Sequence, residues 1–269
     1  MSDWRLTILG CGSSGGVPRL GNDWGACDPA NPRNRRLRCS ALVERRSERG
    51  ATSVLIDTGP DLREQLLSVR AQQLDGVLYT HDHADHTHGI DDLRVLCYLM
   101  KRKIDVWSDA PTRESLLTRF GYCFETPPGR SYPAILNAHD IVVGQPIVID
   151  GAGGKVVAEP ISQHHGNIAS IGFRFGSLAY SSDVSDLDEV AAAALEGLDV
   201  WVVDALRYTR HPAHFTVKEA LGWIERLRPK RAILTHLHVD LDYEALRREL
   251  PAHVEPAYDG MVIGFDGGS

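Results

Sequence analysis

Thr80-His81-Asp82-His83-Ala84-Asp85-His86-Thr87-His88 places four histidines and two aspartates within eight residues, directly after the apolar segment Gly76-Val77-Leu78-Tyr79. Imidazole and carboxylate are the donors that borderline divalent metals such as zinc prefer. So many titratable groups on one loop are costly to hold together unless a cation organises them. The tract is internal, carries interspersed aspartates and sits at a strand end, which separates it from a tag or a compositional accident. It predicts a metal site with donors enough for two ions.

Ten of the twelve histidines fall in four short stretches, each behind an apolar strand: 81–88, His164-His165, His211 with His214, and His236 with His238. In open α/β sheets the carboxyl ends of strands are where ligands bind, so one shared site is the economical explanation. Asp57 ends Val54-Leu55-Ile56, Asp183 follows Leu178-Ala179-Tyr180-Ser181-Ser182, and Asp204 ends the strand before His211. A carboxylate there can ligate a metal, hold a ligating histidine or cap a helix. Asp57 and Asp204 read as holders or caps.

The chain has 269 residues with 43% hydrophobic content, enough for one large α/β domain, taken here as 1–269. No stretch reaches the roughly 20 apolar residues of a membrane span. Met1-Ser2-Asp3-Trp4-Arg5 carries no signal-like basic and apolar run, and the five dispersed cysteines do not suggest a disulfide framework. A cytoplasmic protein is expected. The net charge of −7 disfavours a general nucleic-acid binder, and a small-molecule substrate is expected instead. One basic cluster, Arg33, Arg35, Arg36 and Arg38, is either a solvated loop face or a phosphate-attracting rim.

Strands read at 5–9, 39–44, 53–57, 76–80, 104–107, 155–160, 169–175, 177–181, 199–203 and 231–235. Helices read at 61–70, 91–100, 111–120, 185–195, 216–228 and 243–250. Capping signals are Thr112 ahead of Glu114, Asp183 and Ser185 before an acidic turn, and Thr216 three before Glu219. The alternation predicts an α/β fold with helices over sheet faces. Residues 20–38 and 122–138 (with Pro127, Pro128 and Pro133) read as long irregular loops.

The signature His81-Asp82-His83-Ala84-Asp85-His86 resembles the His-x-His-x-Asp-His motif of the metallo-β-lactamase superfamily of hydrolases, and the later elements follow in order. Leu9-Gly10-Cys11-Gly12-Ser13-Ser14-Gly15-Gly16-Val17-Pro18-Arg19 and Arg38-Cys39-Ser40-Ala41-Leu42-Val43 are similar to the PhnP-like phosphodiesterase branch. The resemblance covers essentially the whole chain and implies a four-layer αβ/βα sandwich with a dinuclear site between two sheets. It implies that one metal takes His81, His83 and His165 (His164 is the neighbouring alternative), a second takes Asp85, His86 and His236, and Asp183 bridges them. Zinc or manganese is expected foremost; iron and nickel also suit such donors. The branch's phosphonate-pathway enzyme carries a structural zinc on three clustered cysteines and a late histidine. Here the matching loop has only Cys27, and Val239 stands where the late histidine would be, so no structural zinc is expected.

The implied reaction is hydrolysis of a small phosphodiester, cyclic ones included, by a hydroxide held between the metals. His214 matches the branch's general-acid histidine. Asp82 is a candidate for orienting water or a ligand histidine, and Arg19 and Arg207 for gripping a phosphate. Gly10 to Gly16 follows a strand but lacks the Lys-Ser/Thr of a P-loop, so no nucleotide cofactor is expected. Other chemistries on this fold are an RNA- or DNA-processing nuclease and an acyl or thioester hydrolase; a non-enzymatic metal-binding module is disfavoured because no expected ligand is replaced. A homodimer is expected from the resemblance alone.

Overall fold

A computed structural model describes residues 3–126, 128–129 and 131–268; Pro127 lies outside them. Two seven-stranded sheets form the frame. The first contains β1 (Asp3–Gly10), β2 (Ser40–Ser47), β3 (Gly50–Ile56), β4 (Gly76–Leu78), β5 (Ile104–Ser108), β6 (Leu136–Asp140) and β14 (Val262–Gly264), in the order β14-β1-β2-β3-β4-β5-β6. The second contains β7 (Ile147–Ile149), β8 (Val156–His165), β9 (Ile168–Phe175), β10 (Leu178–Ser181), β11 (Val200–Asp204), β12 (Arg231–Thr235) and β13 (Val254–Pro256), in the order β13-β12-β11-β10-β9-β8-β7. Each sheet changes from antiparallel to parallel pairing at its middle, the first at β3 and the second at β10.

Both faces of each sheet are covered, which explains the continuous apolar runs. Strand periodicity sends alternate residues to opposite sides. Val54 and Ile56 enter the core between the sheets with Leu6, Ile8, Phe173, Tyr180 and Val202. Leu55 faces the other way and packs with Leu62 and Leu66 of α1 (Leu62–Ser68), Leu96 of α3 (Leu93–Met100) and Leu116 of α4 (Ala110–Phe124). In the second sheet Trp201 and Val203 pack under Ala191 of α5 (Glu189–Ala194), Ile224 of α6 (Val217–Leu227) and Leu246 of α7 (Tyr243–Glu249). This is the expected four-layer αβ/βα sandwich.

Several boundaries differ from the sequence reading, for identifiable reasons. β6 lies partly inside the segment read as loop: after Leu136 its side chains are exposed, so no apolar pattern marks it. β7, β13 and β14 are three-residue strands, too short to show alternation. Asp183 caps no helix. α5 starts at Glu189 behind Asp188, whose carboxylate accepts the Ala191 N–H. Likewise Asp109, not Thr112, caps α4. Thr216 and Glu219 do form the expected capping box on α6.

Candidate metal centre

The strand ends converge. β4 delivers Thr80 and His81, and a one-turn helix α2 (Ala84–Thr87) carries Asp85 and His86. His165 ends β8, Asp183 follows β10, and His236 follows β12. Backbone fit holds the loops against one another. A Cβ at Gly59 would sit 2.3 Å from the Asp85 carbonyl oxygen, and one at Gly10 would sit 2.0 Å from that of Arg38. Gly10 at the end of β1 and Gly59 behind β3 are therefore needed for close packing. Asp57 and His236 both adopt left-handed backbone (φ 63° and 59°), a strain that a site residue can carry when its surroundings fix it.

Among the described residues five donor groups each lie within 4.8 Å: His81, His83 and His165; His81, His86 and Asp183; Asp85, His86 and His236; and two that include His214, one with His165 and Asp183 and one with Asp204 and His236. Asp183 is central. Its carboxylate oxygens lie 3.2 Å from His86 Nε2, 3.4 Å from His236 Nε2, 3.9 Å from His165 Nε2 and 4.0 Å from His81 Nε2. Every ligand candidate named from the sequence is thus in one cluster, with His165 turned in and His164 exposed.

Neighbouring groups orient the rings. His86 Nδ1 donates to Asp57 Oδ2 at 2.7 Å, freeing Nε2 for the site. Thr80 Oγ1 donates to the same oxygen at 2.8 Å, so it accepts from His81 Nδ1 at 2.9 Å, and His81 Nε2 is freed in turn. His165 Nδ1 donates to the Ala213 carbonyl at 2.6 Å. Thr80 and the Ala213 carbonyl carry no ligand signature of their own, and only the fold reveals their part.

The cluster fits a cation. His81 Nε2, His86 Nε2, His236 Nε2 and Asp183 Oδ2 are buried without a hydrogen-bond partner among the described residues. Such atoms are expensive to leave unmatched. Burial holds the His81 imidazole well below the ordinary range and takes His165 down to about 4, so both favour the neutral, ligating form. Asp183 is fully buried yet held below the usual carboxylate range by the His236 and His86 imidazoles. His86 is pulled upward against its burial by Asp183, Asp85 and Asp57. A divalent cation bound here would take the place of the His86 proton against these carboxylates, leaving imidazole and carboxylate donors of the kind such ions prefer.

His214 stacks on His236 with ring centroids 4.4 Å apart, and its Nδ1 donates to Asp204 Oδ2 at 2.7 Å. Asp204 is wholly buried and also accepts the Val184 N–H. Asp82 does not join the cluster. Its carboxylate lies 3.2 Å from Arg119 Nη2 of α4, and Arg119 Nη1 donates to its carbonyl at 2.7 Å. Arg207 is occupied by the Thr209 and Arg210 carbonyls of its own loop.

The arginine cluster divides. Arg33 lies over the Tyr243 and Tyr258 rings, Arg35 is exposed, Arg36 is buried, and Arg38 joins Arg19 beside the centre. There a cavity of about 730 Å³ is lined by Ser14, Arg19, Leu20, Arg38, Asp85 and His88, among others. Arg19 pairs with Asp23, and Arg38 Nε lies 2.9 Å from Asp61. Cys27, the lone cysteine of this loop, is buried with its thiol 3.3 Å from the Val239 carbonyl and 3.4 Å from that of Leu241.

Two mixed sheets, helical outer layers and a histidine–aspartate cluster at the strand ends define the metallo-β-lactamase fold. The chain belongs to the beta-lactamase superfamily: the beta-lactamase superfamily domain matches residues 52–237. It is similar to the crystal structure of a diphosphatase from the PhnP family, at 34% identity and a TM-score of 0.88 over 98% of each chain. It is 30% identical over 265 residues to an octanoyltransferase of Porphyromonas gingivalis, a match that takes in 97% of this chain but 52% of that protein. This chain thus spans about half the length of that relative. Zn(2+)-bound PqqB from Methylobacterium extorquens shares the fold, with a TM-score of 0.73 at 16% identity over 96% of this chain and 99% of that one. The fold implies divalent metal binding.

Proposed function

We propose that the protein is a dinuclear metal-dependent phosphodiesterase acting on a small phosphodiester, cyclic ones included. The carrying observation is the position of Asp183, whose two oxygens face both histidine groups while Asp57, Thr80 and Ala213 orient the rings. His81, His83 and His165 would hold one ion, Asp85, His86 and His236 a second, with Asp183 shared. When bound, such ions polarise a phosphoryl oxygen and bring the pKa of water towards neutrality.

The chain's own groups supply the rest. Arg19 and Arg38 line the neighbouring cavity, where guanidinium groups suit an anionic substrate. His214 has Nδ1 committed to Asp204, so Nε2 faces the leaving group; it gives up a proton to the alkoxide only from the doubly protonated ring, a form that burial disfavours and the neighbouring Asp183 charge favours. Asp82 serves the loop through Arg119. The 34% identity to a PhnP-family diphosphatase supports phosphorus chemistry.

A second reading, acyl or thioester hydrolysis, is favoured by the octanoyltransferase relative. Parallel assays on bis-p-nitrophenyl phosphate and p-nitrophenyl octanoate separate the two. Turnover of the phosphodiester with little of the ester supports the proposal; the reverse order replaces it with acyl chemistry.

A further inference from the structure

Arg36 is 1% exposed, yet its guanidinium has no carboxylate within ion-pair distance among the described residues. A buried charge without an ion partner is costly unless its hydrogen bonds are well met. Arg36 meets most of them through its two terminal nitrogens, chiefly with backbone, while its Nε has no partner among the described residues. Nη2 donates to the Leu241 carbonyl at 2.7 Å and lies 3.3 Å from Asn34 Oδ1; Nη1 donates to the His238 carbonyl at 3.3 Å and lies 3.8 Å from the Cys27 sulfur. Its own backbone pairs with Val17 in both directions at 2.9 Å. One side chain thus ties the loop after β1 to the turn 238–241.

That turn begins two residues after His236, and His236 holds the unfavourable φ of 59°. Leu237 and Ser13 brace its other side, through bonds from Leu237 N to the Cys11 carbonyl at 2.8 Å and from Ser13 N to the Leu237 carbonyl at 3.3 Å. Asn34 extends the tie, donating from Nδ2 to Asp242 Oδ2 at 2.6 Å and accepting the Tyr243 N–H at 2.8 Å. An ammonium has no planar fork with which to serve these carbonyls, so lysine is not an equivalent.

We propose that Arg36 is a positioning residue for the metal centre, an internal cation that fixes the 238–241 backbone and thereby holds His236 in its ligating pose. The inference rests on the metal-hydrolase reading above. Its test compares wild type, Arg36→Met, Arg36→Lys and the core control Ile263→Ala, each at a temperature where circular dichroism shows it folded. Metal content, metal affinity by chelator competition, kcat and KM are measured.

Arg36→Met is expected to lose about one of two ions and about tenfold in kcat, with KM within about twofold. Arg36→Lys, which keeps the charge in case the methionine variant does not fold, is expected to weaken one ion's affinity about tenfold. Ile263→Ala is expected to lose stability only. Arg36 variants that keep wild-type metal affinity and kcat while melting earlier would overturn the inference alone. A wild-type chain that takes up no metal would overturn the metal reading as well.

Discussion

His86 donates its Nδ1–H to Asp57 Oδ2 across 2.7 Å, and both side chains are wholly buried. The same carboxylate accepts the Thr80 N–H and hydroxyl at 2.8 Å each, so Asp57 orients two ring systems while standing outside the donor cluster. Asp57→Asn keeps the shape but loses the charge that fixes these donors. Metal affinity or kcat should fall about 10- to 100-fold, as measured by chelator competition and initial rates. Unchanged values would mean the rings are positioned by packing alone.

Asp204 and His214 should act as one unit. His214→Ala should lower kcat about 10²- to 10⁴-fold on a substrate with a poor alkoxide leaving group. The loss should shrink with p-nitrophenolate, which leaves without a proton. Asp204→Asn should move rates in the same direction. Equal losses on both leaving groups would remove the general-acid role.

Arg38 should contribute to substrate binding. Its Nε is buried near Asp61, while the residue lines the cavity beside Asp85. Arg38→Ala should raise KM for bis-p-nitrophenyl phosphate about tenfold, the loss of roughly one charge-assisted hydrogen bond. Steady-state kinetics that show an unchanged KM would place the substrate elsewhere.

Asp259 links pH to stability. Its carboxylate accepts the Cys11 and Leu37 N–H groups at 3.0 and 2.7 Å, but burial lifts its pKa to about 7. An unfolded chain releases this proton near a pH of about 4. The group's stabilising contribution is therefore complete below that value and is lost as the pH rises through 7. The melting midpoint of wild type relative to Asp259→Asn should fall between pH 5 and pH 8. A constant difference would contradict this assignment.

The reach of the sequence follows from what each residue's role depends on. His81, His83, Asp85 and His86 sit close together in the chain, and their spacing alone carries the chemistry. Strands buried on both faces, such as Val200–Asp204, appear as apolar runs. The exposed edge strand β6 does not, because pairing with β5 needs no apolar side chains. Asp57 and Asp204 were legible as carboxylates at strand ends, but their partners His86 and His214 lie 29 and 10 residues away and become definite only in three dimensions. Asp82 looked chemically promising from its place between two histidines. Its pairing with Arg119, 37 residues on, depends on where α4 packs. Arg36 reads as one member of a basic cluster, and nothing local distinguishes it from exposed Arg35.

The central claim is that the cluster around Asp183 holds catalytic metal. The most direct measurement is metal content per chain together with hydrolysis of bis-p-nitrophenyl phosphate, before chelation, after it, and after zinc or manganese is restored. The account predicts about two ions per chain, turnover abolished by chelation, and recovery on reconstitution. A chain that binds no metal after reconstitution, or one whose turnover ignores its removal, would contradict it.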